Sequence, residues 1–287
     1  MKVAFNFPAF VSEYIGTETQ ILNQLSDKFQ QNLIKASKIS GIDFTQIHLD
    51  STDFGKDELS IQIASYIFSC SLSDELISRN LKPDILAGYS MGLYAALYTG
   101  KVISYEDGIH LIMQAFNISK STVQNIDSGM GSIIGLKVQE IEEIIIKNQL
   151  KAEIANTNSI HSHLVTGRMD AIKSLLDFAK ITGALHVSLL NVKTPYHASL
   201  LKDTRKPFGK FIMENTSIRK SNYPIISSID QRIIQTPIEI QNELTDNLSE
   251  RINWSASFNT MLEIGITKFI ECGAGKSLQK ISRFQTG

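Results

Sequence analysis

A chain of 287 residues with 43% hydrophobic and 20% charged residues can bury a large core, and its length suits one large domain carrying a smaller one. Its formal net charge of −1 argues against nucleic acid or an anionic membrane as the main partner, since both reward a basic surface. Only two cysteines are present, Cys70 and Cys272, far apart and without metal-ligand spacing. Neither a disulfide framework nor a metal site is therefore expected, and a reducing cytoplasm is. The first residues, MKVAFNFPAFVSEY, lack the apolar run of a signal peptide, and no apolar stretch is long enough to span a bilayer.

Apolar β-prone runs alternate with helical-period segments along the chain, which predicts an α/β architecture with a mainly parallel sheet. The first strand is Lys2 to Phe7. Gln20 to Lys38 reads as an amphipathic helix and Leu59 to Arg79 as a second, with apolar positions at Ile61, Ala64, Ile67 and Phe68. Pro83 to Ala87 is a short buried strand, and Ser104 to Gln124 is a helix opened by an N-cap serine with acids in its first turn. Gly129-Met130-Gly131 reads as a break. Beyond it come a strand at Ser132–Leu136, a helix at Val138–Lys147, strands at Ala152–Asn156 and His163–Thr166, a helix at Met169–Thr182 and a strand at Ala184–Leu190. That β-α-β-β-α-β order matches a ferredoxin-like unit inserted into the larger domain. The expected division is 1–127 with 193–287 for the large domain and 128–192 for the insert.

Within KPDILAGYSMGLYAAL, Gly88-Tyr89-Ser90-Met91-Gly92 stands between a predicted strand and a predicted helix. Gly-x-Ser-x-Gly in that context is a nucleophile elbow: the turn is too tight for larger side chains at the glycines, and it projects the serine into a cleft. It also sets the backbone N–H of Met91 at a helix start, where it can stabilise an oxyanion. A tight strand-to-helix turn with no chemistry would carry the same five residues. A nucleophilic serine needs a base, and six histidines are available: His48, His110, His161, His163, His186 and His197. His197 follows Pro195 where the chain leaves the insert, in a loop placed to face the cleft. His161 and His163 lack a third ligand, so a metal is not expected there.

These residues together resemble the malonyl-CoA:acyl carrier protein transacylase family, which includes the acyltransferases of fatty acid and polyketide synthases. The similarity runs along nearly the whole chain. Phe7-Pro8 stands at the family's Phe-Pro-Gly-Gln-Gly loop, Gln62 at a helix glutamine, and residues 88–92 at Gly-His-Ser-Leu-Gly. Asn156-Thr157-Asn158-Ser159 resembles Asn-x-Asn-Ser, Pro195-Tyr196-His197 resembles Pro-x-His, and residues 271–276 resemble Glu-x-Gly-Pro-Gly-Lys.

The resemblance implies an α/β-hydrolase-like large domain with an inserted ferredoxin-like domain, and a ping-pong acyl transfer. In it Ser90 is the nucleophile and His197 the base, with acyl-CoA or a phosphopantetheinyl acyl carrier protein as substrates and no bound cofactor. It further implies an oxyanion hole from the N–H groups of Met91 and Phe10, and backbone carbonyls orienting the histidine, placed near Arg251-Ile252-Asn253-Trp254. Gln62, Tyr89, Gln114 and Ala115 fall in the substrate pocket, although Gln62 also fits a plain packing role. Asn156 and Asn158 are expected to tie down a cleft-side loop, and Lys276 to be solvated or to meet a phosphate.

The departures from the family bear on substrate. Ala115 stands where malonyl-transferring members carry an arginine that pairs bidentately with the malonyl carboxylate. A carboxylate desolvated there without a partner costs several kcal/mol, so an acyl group without a free carboxylate is expected. Arg168 is the other cation the sequence offers. Phe10 makes the pocket more apolar than the family's glutamine. Three further readings stay open: a carrier-protein thioester hydrolase, a malonyl transferase with a substitute cation, and a non-catalytic carrier-binding subunit.

Overall fold

The computed structural model describes residues 2–9, 27–45 and 57–282. Among these, one five-stranded sheet runs in the order β10 (Ile266–Glu271), β1 (Lys2–Phe7), β2 (Ile85–Gly88), β7 (Ile225–Ile226), β8 (Ile233–Ile234). The first four are parallel and β8 is antiparallel at the edge. Val3, Phe5 and Phe7 on one face of β1 and Ala4 on the other are all buried, because helices cover both faces of a parallel sheet. The mainly parallel α/β class expected from the sequence is the class observed.

Helix α1 (Asp27–Ser40) lies within the first predicted helix, whose residues 20–26 fall outside the described set. Helix α2 (Glu58–Ser78) differs from the amphipathic expectation, since Ser60 to Ser71 are buried without interruption. Gln62 apart, its buried polar positions are serines, two of them bonded to neighbouring elements: Ser71 accepts from Asn32 Nδ2 at 2.9 Å, and Ser73 Oγ lies 2.9 Å from Thr99 Oγ1. Serine thereby closes a face that would otherwise require solvent. Helix α3 (Gly92–Thr99) follows β2, and α4 (Tyr105–Thr122) opens on a reciprocal capping box between Ser104 and Asp107.

A second sheet runs β6 (His186–Leu189), β3 (Ser128–Ile134), β5 (Ser162–Arg168), β4 (Ala152–Ser159), β9 (Ile252–Asn253). The first four are antiparallel and β9 adds to β4 in parallel. Helices α5 (Val138–Lys147) and α6 (Met169–Thr182) pack on this sheet over Ile133, Ile141, Ile172 and Leu175. The predicted break at Gly129–Gly131 is instead part of β3. A Cβ on Gly129 would sit 2.5 Å from the Met169 methyl and one on Gly131 3.1 Å from Leu176, so these glycines admit α6 against the strand and do not turn the chain. Ala184 also leaves the predicted last strand, because its N–H closes the C-terminus of α6 on Ala179 O at 2.9 Å.

Past residue 192 the chain forms α7 (Arg205–Asn215), α8 (Pro237–Asp246), α9 (Trp254–Glu263) and α10 (Ser277–Ser282), with the short strands already placed. Tyr89 joins the two sheets. Its ring meets Trp254 edge-on at 5.5 Å, and its hydroxyl donates to Asn158 Oδ1 at 2.8 Å.

Candidate active site

The parallel strands β1, β2 and β10 direct their C-terminal ends to one side of the sheet, where ligands of α/β proteins bind. Ser90 lies two residues past Gly88, the end of β2, with φ at +56°. A serine holds this left-handed conformation only when the surrounding structure enforces it. The glycines at 88 and 92 are that enforcement: a Cβ on Gly88 would lie 2.4 Å from Leu93 Cα, and one on Gly92 2.1 Å from the Phe7 carbonyl oxygen. The Tyr89 N–H donates to that same carbonyl at 2.9 Å, so the end of β1 is pinned against the turn.

His197 comes from the loop between β6 and α7. Its φ is +60°, and its N–H donates to Leu248 O at 2.8 Å. Its Nε2 lies 2.7 Å from Ser90 Oγ, within reach for proton transfer. Burial depresses the imidazolium pKa to about 4, with backbone groups of Asn247 and Glu250 acting in the opposite direction. The ring is thus neutral near pH 7 and able to accept the serine proton at Nε2. Nδ1 is buried and meets no partner at full hydrogen-bond geometry. The backbone around the histidine is therefore Asn247 to Glu250, the turn after α8, and not Arg251–Trp254. The latter four residues enter β9 and α9, where Asn253 caps α9.

A cleft of about 710 Å³ opens over Ser90 and His197. Ala9, Glu58, Ile61, Phe116, Lys120 and Tyr196 line it from the first sheet's side, and Met130, Asn156, Leu164 and Ser188 from the second. A smaller cavity of about 20 Å³ lies deeper, bounded by Gln62, Ser90, Tyr94, Ala115, Tyr196 and His197. The sequence-predicted residues Ser90, His197, Met91, Gln62, Tyr89 and Ala115 thus converge on one place. Gln114, half-buried on α4, lines neither cavity, and Phe10 lies outside the described residues. Met91 is the N-cap of α3.

Ala115 is 4% exposed, and among the described residues no arginine lines either cavity. Arg168 lies on the surface with its Nε 3.5 Å from Asp170. The cleft's lysines are Lys120 and Lys193, both exposed. Asn158 holds Tyr89, while Asn156 is buried and faces the cleft. Glu271 accepts from the N–H groups of Leu278 and Gln279 at 3.0 Å each, so it caps α10, and Lys276 lines neither cavity. His110, His161 and His186 are exposed, His163 is buried in the second sheet, and His48 lies outside the described residues. Among the described residues no cluster of three metal-ligating side chains occurs, and no helix is long and apolar enough to cross a membrane.

The sequence reading missed Glu58. It lies one turn before Gln62 on α2, and Gln62 Nε2 reaches both Glu58 Oε1 at 3.3 Å and Tyr196 Oη at 3.0 Å. Burial raises the Glu58 pKa, which hydrogen bonds from Tyr196 and Thr194 partly offset. Helical spacing of four from Gln62 was the available signal.

No protein-family model matches the chain. It is 26% identical over 293 residues to the malonyl CoA-acyl carrier protein transacylase of Staphylococcus aureus, covering 98% of this chain and 93% of that one. To the Bacillus subtilis protein of the same name it is 23% identical over 290 residues, covering 96% and 88%. The fold matches an acyl carrier protein S-malonyltransferase from Vibrio cholerae with TM-score 0.90 at 25% identity, covering 99% and 94%. It also matches a malonyl-transacylase solved in complex with a holo type II polyketide synthase acyl-carrier protein, with TM-score 0.91 at 22% identity, covering 99% and 93%.

Proposed function

From a chain homologous along nearly its whole length to malonyl-CoA:acyl carrier protein transacylases, we propose an acyltransferase that works through an acyl-serine on Ser90. His197 takes the hydroxyl proton as Ser90 attacks a thioester, and returns a proton to the departing thiol. The N–H of Met91 stabilises the oxyanion, with that of Phe10 as its expected second donor. A carrier protein or CoA supplies the acyl group, and a second such thiol receives it, in fatty acid or polyketide synthesis.

The acyl group carries no free carboxylate. The observation behind this reading is Ala115, buried at the wall of the inner cavity beside Ser90, with no arginine lining either cavity among the described residues. An inner cavity of about 20 Å³ suits an acetyl methyl, and a longer chain has room only along the outer cleft. That same volume is enough for about one water molecule, with Gln62, Tyr196 and His197 as polar neighbours. A water held there would attack the acyl-serine, which favours thioester hydrolysis as the second reading.

The test is intact-protein mass spectrometry after incubation with acetyl-, butyryl- and malonyl-CoA, with Ser90→Ala as control. We expect adducts of 42 or 70 mass units, about the acetyl and butyryl increments, that the control lacks. Transfer of the adduct to a carrier thiol supports the transferase, and loss to water alone supports the hydrolase. A malonyl adduct without the others would sink the uncharged-acyl reading, and no adduct from any donor would leave a carrier-binding protein.

A further inference from the structure

The missing arginine removes an attraction, but a second feature of the cleft adds a repulsion. The geometry points to Glu58 as a specificity-determining residue whose carboxylate excludes acyl groups bearing a negative charge. This deepens the uncharged-acyl reading and rests on it for the identity of the cleft.

Glu58 is the first residue of α2, half-buried, and lines the cleft that opens over Ser90 and His197. It accepts from Gln62 Nε2, and Gln62 lines the inner cavity together with Ser90 and Ala115, so one side chain links the carboxylate of the outer cleft to the inner wall. Tyr196, also bonded to Gln62, lines both spaces. The wall that presents Ala115 in place of a cation is therefore completed by a carboxylate one helical turn from the inner cavity's own glutamine. Asp57, the N-cap of the same helix, adds a second carboxylate to the outer cleft.

Lys120 is the opposing charge in the same cleft and acts electrostatically on Glu58 itself, and exposure decides between them. It is exposed and lies five residues past Ala115 along α4, about 7.5 Å of helix. Its Nζ rests over the Phe116 ring, 5.6 Å from the centroid, a cation–π contact. An exposed ammonium is screened by water and salt, whereas a half-buried carboxylate acts through a lower dielectric. An acyl chain reaching from Ser90 along this wall shares the cleft with both charges, and Glu58, the more buried of the two, is the one that water screens less.

Calorimetric affinities of malonyl-CoA and isovaleryl-CoA separate charge from shape, because isovaleryl has the branched outline of malonyl without its charge. They are measured on Ser90→Ala and on Ser90→Ala/Glu58→Gln, so that acyl transfer cannot intervene and a failure of the Ser90 chemistry leaves the measurement intact. The expected result is a Kd for malonyl-CoA that falls about tenfold on adding Glu58→Gln, while that for isovaleryl-CoA changes less than about twofold. Adding Lys120→Gln to the Ser90→Ala protein should move malonyl-CoA the other way, by a smaller factor. If both thioesters shift together, Glu58 only holds Tyr196 and the His197 loop in place, and the assignment is overturned. It is equally overturned if malonyl-CoA is unmoved, or if neither thioester binds either protein.

Discussion

At the scale of single residues, burial sets the protonation state of the imidazole that faces Ser90. An imidazole with an ordinary pKa near 6.5 would be about nine-tenths protonated at pH 5.5 and unable to accept a proton. Here burial holds the value at about 4, so the neutral base persists a full two units lower. The rate constant for acylation of Ser90 by an uncharged acyl-CoA is therefore expected to change less than about twofold between pH 5.5 and 7.5, with an acid limb centred near 4. Rapid-quench mass spectrometry across that range reads it directly, and an apparent pKa near 6.5 would show that the ring is solvated in the working enzyme. That His197 is the histidine beside Ser90 was suggested by its place after Pro195 at the exit of the insert and by the resemblance of Pro195-Tyr196-His197 to Pro-x-His. The carbonyls around it were not: they belong to the turn at residues 247–250, which carries no motif and is brought there only by the packing of α8.

At the scale of elements, the elbow is the feature the sequence states most fully, because its requirement is local. Two glycines are needed where Leu93 and the end of β1 press on the turn, and both are written in the motif. Gly92→Ala would drive a methyl to within 2.1 Å of a backbone carbonyl, with no flexible side chain to yield. We expect a loss of about 3 kcal/mol or more of stability and a fall in acylation of at least about a hundredfold, since Ser90 must move if the chain folds at all. Urea unfolding and single-turnover acylation measure the two parts, and a variant with unchanged acylation would mean that the elbow relaxes freely. Other elements were harder to read. Glycines 129 and 131 look like a turn in sequence because their function, close approach of α6, is made by Met169 and Leu176 some forty residues away. Strands β7, β8 and β9 are two residues each, too short for any period, and exist only because neighbouring strands supply their partners. The polar side of α2 reads as solvent-facing in sequence because the partners of Ser71 and Ser73, Asn32 and Thr99, come from other helices.

At the scale of the whole molecule, two buried groups give stability opposite dependences on pH. His197 binds a proton less readily folded than unfolded, so its contribution is complete above pH 6.5 and is lost as pH falls toward about 4. Glu243 on α8 is the reverse. It is 7% exposed, accepts from Ser227 Oγ at 2.7 Å and the Ser228 N–H at 3.2 Å, and burial raises its pKa from 4.5 to about 7. Asp230 and Asp246 push it further in the same direction. The folded state thus prefers Glu243 protonated, and that contribution is complete below pH 4.5 and lost as pH rises through 7. Each shift corresponds to a limiting value on the order of 3 kcal/mol, and between pH 5 and 7 the two oppose one another. A glutamine side chain at this position would keep a carbonyl oxygen for the Ser228 N–H and turn its amide NH2 to Ser227 Oγ, which can accept, without the ionisation. Glu243→Gln should accordingly match the wild type in urea near pH 4.5 and exceed it by on the order of 2 to 3 kcal/mol at pH 8, with the difference growing steadily between. A difference constant with pH would place the Glu243 titration outside this window and leave the cancellation unsupported. Because α8 leads directly into the turn at residues 247–250 that faces His197, the same titration series, followed by acylation rate, also tests whether that turn keeps its geometry when a charge develops one helical turn upstream.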